Sequence, residues 1–304
     1  MTNVEVVETR TIWFTIIQTI YGIPCIFLMV FAFIYMGVKK RFNSGFYKLC
    51  RMDLFVNISL YINTWLGMRF EKYPFCIPML KFIEIVFPGF LTFSRYLTQY
   101  FFHLQFVSAV GMPIHRILTM KGLNRTNKFW NIFVFAYFVG AIVYSCIPNF
   151  IFYFGFPSKT LIINGTLYRV RNNDMYKSLV LANAVFSTLY FIIMAAFGLT
   201  CMRLFKKLGA TLHSPLVAKT LTQVTLTYSV VYSGILFYCV LNGLDSQFEF
   251  YPTHLREANT VILGYTSDLM TLSLPFILTV HDANVKKELF GKITSITMRT
   301  FTAV

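Results

Sequence analysis

The sequence predicts an all-α polytopic membrane protein, a bundle of seven transmembrane helices with its N-terminus outside, and three observations lead there. The 304 residues are 56% hydrophobic and 13% charged, about half the roughly 25% charge of a soluble domain, so most of the surface faces something other than water. Apolar runs of about 20 residues, the length that crosses the hydrocarbon core, recur along the chain, without the alternation of a β-barrel. Lys and Arg, 27 in all, cluster at the ends of those runs, which fixes an orientation.

The runs follow in order. Span one is Trp13 to Met36 and holds no charge; no basic region precedes it and it is too long for a signal core, so it reads as a span and not as a cleaved leader. Span two, roughly Leu49 to Gly67, is weaker because Arg51 and Asp53 sit at its start. Span three is Tyr96 to Ile117, span four Trp130 to Phe154, span five Ser178 to Met202, span six Leu221 to Leu241 and span seven Ala258 to Val280. Together they form one membrane domain, and 281–304 is a cytoplasmic tail.

Met79 to Ser94 is the segment to decide, because it is apolar yet contains Lys81, Glu84 and a Pro88-Gly89 break. With seven spans and the N-terminus outside, the inner segments carry 17 of the 27 Lys and Arg and the outer segments 10, while eight of the twelve acids lie outside. An eighth span here would weaken the asymmetry and place Lys81 in the membrane, so the segment reads as a helix on the outer interface or part of the outer mouth. After span seven, Leu289, Phe290, Ile293 and Ile296 recur at helical spacing among Lys286, Lys287 and Lys292, which suits a short amphipathic helix on an anionic inner leaflet, with membrane lipids as its partner.

The net charge of +15 does not indicate nucleic acid. Its clusters, Lys39-Lys40-Arg41 and Lys206-Lys207, flank apolar runs and line no aromatic groove. No H-E-x-x-H, G-x-S-x-G or Gly-rich phosphate loop occurs, and the five histidines are scattered, so neither an enzyme nor a metal or other cofactor is expected. Cys25, Cys50 and Cys201 lie in or beside apolar runs; the sequence leaves open whether Cys76, in an outer loop, pairs with Cys146 or Cys239. Of the sequons at Asn57, Asn124 and Asn164, only Asn164 falls outside, so it is the expected glycosylation site.

Polar groups within spans either join helices or line a pocket. Asp53 is close enough to Arg51 and the inner interface to pair locally. Asp268, near the middle of span seven, needs a ligand, an ion or hydrogen bonds to Ser and Thr neighbours. Gln99, His103 and Phe106 share one face of the outer half of span three, and Asn183 and Ser187 repeat at four-residue spacing in span five. With Asp268 they are the candidate lining of an outward-opening cavity with aromatic walls, suited to a small, fairly apolar ligand. At the inner end, Arg116, Arg203, Lys206 and Lys207 are the candidate contacts for a cytoplasmic partner.

The overall plan resembles G-protein-coupled receptors. In detail, Tyr21-Gly22-Ile23-Pro24, the run FYKLCRMDLFVNISLYINTW across span two, FFHLQFVSAV leading to His115-Arg116, Lys128-Phe129-Trp130, Leu274-Pro275-Phe276 and the closing HDANVKKELF resemble the serpentine receptor class gamma (Srg) family of nematode chemoreceptors. That resemblance implies a chemosensory receptor in the plasma membrane or cilia of sensory neurons, with a small-molecule ligand and signalling through a heterotrimeric G protein. The alternative is a transporter or ligand-gated channel subunit, although no convincing internal repeat is present. The chain departs from rhodopsin-like receptors: His115 replaces an acid before Arg116, Pro275 is followed by Phe-Ile-Leu, and no Cys stands at the outer end of span three or in 155–177.

Overall fold

A chain in hydrocarbon must satisfy its backbone hydrogen bonds internally, and long apolar runs do so as helices. The computed structural model describes residues 2–6, 12–122, 126–149, 158–208, 215–248, 251–282 and 285–287. Eight α-helices lie among them: α1 Ile12–Val38, α2 Gly45–Thr64, α3 Ile77–Val86, α4 Phe90–Met120, α5 Asn127–Asn149, α6 Asn173–Leu208, α7 Pro215–Phe248 and α8 Thr253–His281. All but the short α3 are long, and they form the bundle. The helical all-α membrane architecture is therefore as the sequence indicates.

Five of the long helices, α1, α5, α6, α7 and α8, are apolar enough to cross a membrane by themselves, and α4 qualifies together with α3. The remaining one, α2, is the least apolar in sequence because its polar groups point inward: Asp53, Asn57, Asn63 and Thr64 are all buried. It packs against α1, α4, α5 and α8. The opposite pattern appears on α5, where Ile132, Phe135, Val139, Val143 and Ile147 form an exposed stripe, the face expected to meet lipid. The ends of α6 and α7 run well past the expected spans; at 36 residues, α6 is about 54 Å long against a hydrocarbon core of about 30 Å.

Small residues let α6 and α7 approach closely. A methyl group at Gly243 would stand 2.2 Å from the Cβ of Ala184, the kind of contact that joins helices when lipid supplies no hydrophobic drive. Gly22 does the same for α1, since a methyl there would overlap the Tyr61 hydroxyl of α2.

The doubtful segment resolves into two parts. Ile77–Val86 is α3, a short helix apart from the long ones, and the helix that holds the expected span three begins at Phe90, ahead of Tyr96. The two helices meet at 99° through Phe87, Pro88 and Gly89, with Gly89 at φ +87°, which a side chain would resist. Glu84 holds this elbow: its carboxylate accepts the backbone N–H of Gly89 (2.7 Å) and of Leu91 (3.0 Å). Those are donors that a helix start leaves open, and a negative charge there also opposes the helix dipole.

Two features are absent from the sequence reading. Helix α2 continues beyond Thr64 as a π turn, Trp65–Arg69, carrying the span past Gly67. A three-stranded antiparallel sheet caps the same end of the bundle, ordered β1 (Thr2–Val6), β3 (Thr166–Asn172), β2 (Ser158–Ile163). β1 pairs Thr2 with Asn172 through Val6 with Tyr168, and β2 pairs Ser158 with Arg171 through Ile163 with Thr166. Glu71, buried beyond the π turn, bonds both Arg95 of α4 and Arg169 of β3, and Thr92 accepts the Thr160 N–H at 3.0 Å. Leu80, Leu91 and Leu167 pack beneath as a small apolar cluster.

The amphipathic helix expected over Leu289 to Ile296 lies outside the described residues. What precedes it is anchored: Asp282 accepts a hydrogen bond from Tyr47 of α2.

Candidate functional site

Helix periodicity places Gln99, His103 and Phe106 on one face of α4, and that face meets α6. Gln99 and Asn183 exchange amide hydrogen bonds, with Asn183 Nδ2 to Gln99 Oε1 at 3.1 Å. His103 Nδ1 lies 2.9 Å from the Tyr190 hydroxyl, which is itself 3.2 Å from the Tyr144 hydroxyl of α5. The imidazole sits edge-on to Phe186, 5.1 Å between centroids, while Phe106 stacks on Tyr190 at 4.9 Å and meets Tyr232 of α7 edge-on at 5.5 Å. Ser187 is buried beside the Cys239 thiol. The five residues therefore converge where α4, α6 and α7 meet, among aromatic neighbours. His103, Phe106 and Ser187 are 1%, 0% and 0% exposed, so in this conformation the side chains fill the space themselves. A groove does open at the sheet end, but on the outside of the bundle, between the α3–α4 elbow and β2.

Asp268 belongs to a different cluster. Arg69, from the π turn, forms a buried ion pair with it, and the Tyr21 hydroxyl donates to it at 2.5 Å. The guanidinium also lies over the rings of Tyr61 and Trp65, 5.0 and 5.2 Å from their centroids. Arg69 lies beyond Gly67, the expected end of span two; the π turn adds the residues that bring it to the bundle. Asp268 thus joins α1, α2 and α8, away from the α4–α6 cluster.

Asp53 does not pair with Arg51. It is fully buried and accepts from Ser108 Oγ at 2.5 Å, Tyr228 Oη at 2.6 Å and Asn57 Nδ2 at 2.9 Å. Tyr228 donates to Asp53 and lies 2.8 Å from the Tyr232 hydroxyl, and Gln105 bonds Asn57 and, at 3.3 Å, Thr271. One polar network therefore ties α2, α4, α7 and α8 at the bundle centre. Arg51 turns outward over Phe33 of α1, 5.2 Å from its ring. Sequence reasoning missed this network, although Asp53 and Asn57, Gln105 and Ser108, and Tyr228 and Tyr232 each stand three or four residues apart and so share helix faces.

At the basic end, His115 packs on Trp130 with centroids 4.2 Å apart, and Arg116 turns the other way, with Nη2 3.4 Å from Thr222 Oγ1 of α7. Arg203, Lys206 and Lys207 are exposed at the end of α6. Asn164 is exposed at the far end of the molecule, at the tip of the β2–β3 hairpin: it has φ +49° and Gly165 φ +72°, the left-handed pair that a two-residue hairpin needs. Cys76 is buried and, like Cys146 and Cys239, a free thiol, so neither disulfide left open by the sequence is formed.

Comparison with known proteins gives this arrangement its family. The chain is 34% identical over 289 residues to serpentine receptor class gamma-47 of Caenorhabditis elegans, covering 93% of this chain and 92% of that protein. It is 24% identical over 272 residues to serpentine receptor class gamma-53 of the same organism, covering 88% and 87%. The family model described as Srg family chemoreceptor matches residues 15–289. A bundle of seven long helices, its polar groups turned inward and its apolar stripes outward, matched over nearly its full length, makes this chain a member of the Srg family of seven-transmembrane chemosensory receptors.

Proposed function

We propose that the receptor sits in the plasma membrane of a sensory cell, including its cilia, with the N-terminus and the sheet outside. A small-molecule ligand acts on the α4–α6–α7 cluster of Gln99, His103, Phe106, Asn183 and Ser187, and the basic end signals to a heterotrimeric G protein through Arg116, Arg203, Lys206 and Lys207. The observation that carries this reading is a ladder of contacts running from the Gln99–Asn183 pair through His103–Tyr190 and Phe106–Tyr232 to Tyr228–Asp53. Farther along the same two helices, α4 and α7 meet again at Arg116–Thr222. Its α4 members face α6 near the sheet and α7 near the basic end, so a ligand that prefers one α6–α7 placement shifts the population of the other end by its differential affinity.

Asp268, locked to Arg69, is a structural partner in this reading, not a ligand contact. Because the family is one of receptors, no catalytic step is assigned. The test is nucleotide exchange on a co-expressed G protein. Arg116→Ala should lower exchange about tenfold at equal surface level, a change of about 1.4 kcal/mol. Unchanged exchange, or a ligand-evoked current that needs no G protein, would favour the transporter or channel reading instead.

A further inference from the structure

The groove at the α3–α4 elbow lies apart from the cluster just described. It has a volume of about 540 Å³ and is walled by Ile85, Pro88 and Phe93 on one side and Lys159, Thr160 and Leu161 of β2 on the other. That volume falls within the range of small-molecule sites, about 300–1,000 Å³.

Its surroundings identify the medium it opens to. On α3 and the turn before it, Phe75, Met79, Phe82 and Val86 are 77%, 40%, 65% and 45% exposed and repeat at helical spacing, with Ile85 beside them at 67%. Phe87, Phe93, Leu161 and Ile163 continue this apolar belt around the groove. An exposed strip of that size is stable only against an apolar phase, so α3 rests at the membrane boundary of the sheet end, and the groove opens sideways into it. The segment's sequence predicts the same interfacial position.

A polar feature singles the groove out from an ordinary lipid-facing dent. Lys159 is exposed at the rim and makes no ion pair among the described residues. Its strand neighbour Thr160 is buried and donates its backbone N–H to Thr92 of α4, which fixes the rim against the elbow. Glu84 also lines the groove, but its two oxygens are taken by the backbone of Gly89 and Leu91, so its charge is directed into the start of α4.

We propose that this groove binds a single-chain amphiphile with a carboxylate head, drawn from the membrane. The tail lies along Ile85, Pro88, Phe93 and Leu161, and the carboxylate meets Lys159 at the rim. One cation matches a head with one negative charge. The single trough accommodates one chain.

The experiment is photolabelling of the full-length receptor in phosphatidylcholine nanodiscs with a diazirine-bearing fatty acid, mapped by peptide mass spectrometry. Labels should concentrate in 85–93 and 159–163, and oleate should displace them at lower concentration than oleyl alcohol. Lys159→Ala should weaken oleate competition by roughly fivefold, the upper range of an exposed ion pair, leave oleyl alcohol unchanged, and be rescued by Lys159→Arg. Leu161→Trp should fill the trough and remove labelling by both. Labels spread equally over the lipid-facing stripes of α1 and α5 would mean bulk lipid contact and overturn the proposal. So would oleate competition unmoved by Lys159→Ala. Neither readout involves signalling, so this site stands or falls independently of the ligand cluster in the bundle.

Discussion

Asp268 is tolerated in the middle of α8 because Arg69 reaches it through one extra turn, and two tyrosines and a tryptophan enclose the pair. Removing one partner alone strands the other charge, which costs about 3–5 kcal/mol, whereas replacing both with apolar groups is close to neutral. Asp268→Ala should therefore lower thermal stability of the purified receptor sharply, and the double replacement Arg69→Met, Asp268→Leu should recover most of it. Equal losses in both would show that the pair is not mutually compensating. His103 behaves differently, since its neighbours keep other bonds: Tyr190 retains Tyr144, and Gln99 retains Asn183. His103→Phe should cost only about 1 kcal/mol and leave surface level nearly unchanged, while shifting the dose–response curve. A normal surface level with an unmoved curve removes His103 from the ligand path. In the sequence, the need for a partner at Asp268 was visible and its identity was not, because a π turn carries no local signature at Trp65–Arg69. Asp53 was misread for a related reason. Nearness to Arg51 in the chain suggested a pair, but residues two apart point to different sides of a helix.

Among the elements, α3 shows how a short-range cap decides a long-range angle. Glu84 sits at the end of one helix and supplies acceptors to the start of the next, so the elbow and the N-terminus of α4 are fixed together. Glu84→Ala should cost about 0.5–2 kcal/mol, the usual worth of a lost cap, and raise amide exchange over residues 86–92 ahead of the rest of α4. Uniform exchange along α4 would show that the cap does not hold the elbow. Hydropathy placed the helix start at Tyr96 because Phe90–Arg95 looks like the tail of an interfacial segment; the Pro88-Gly89 break marked the true boundary. The sheet was legible in one place. Asn164-Gly165 is the dipeptide of a tight hairpin, and it drew notice only as part of a sequon. β1 had no such mark, since its partner strand begins at Thr166.

For the molecule as a whole, the long helices and their order follow from length, hydropathy and charge, quantities that average over many residues and so survive local error. The contacts within the candidate cluster did not follow, because they depend on which face of α6 meets α4. Orientation can be tested on the hairpin tip. If the sheet end is outside, glycosidase treatment of the expressed receptor removes a mass shift that Asn164→Gln also abolishes. A shift lost in Asn124→Gln instead would reverse the molecule.

β1 and the β2–β3 hairpin are separated by four crossings, α1, α2, α4 and α5. An even number returns the chain to the side it left, which is why the two can pair. It also sets a schedule for biosynthesis. β1 emerges first, and Thr2 has no partner until Asn172 has been made, roughly 10–30 s later at 5–20 residues per second. Throughout that interval the first strand waits with its backbone donors unmet, open to any other strand edge nearby. A stall during synthesis of the fourth crossing would lengthen that wait and should appear as misassembled receptor held back before it reaches the cell surface.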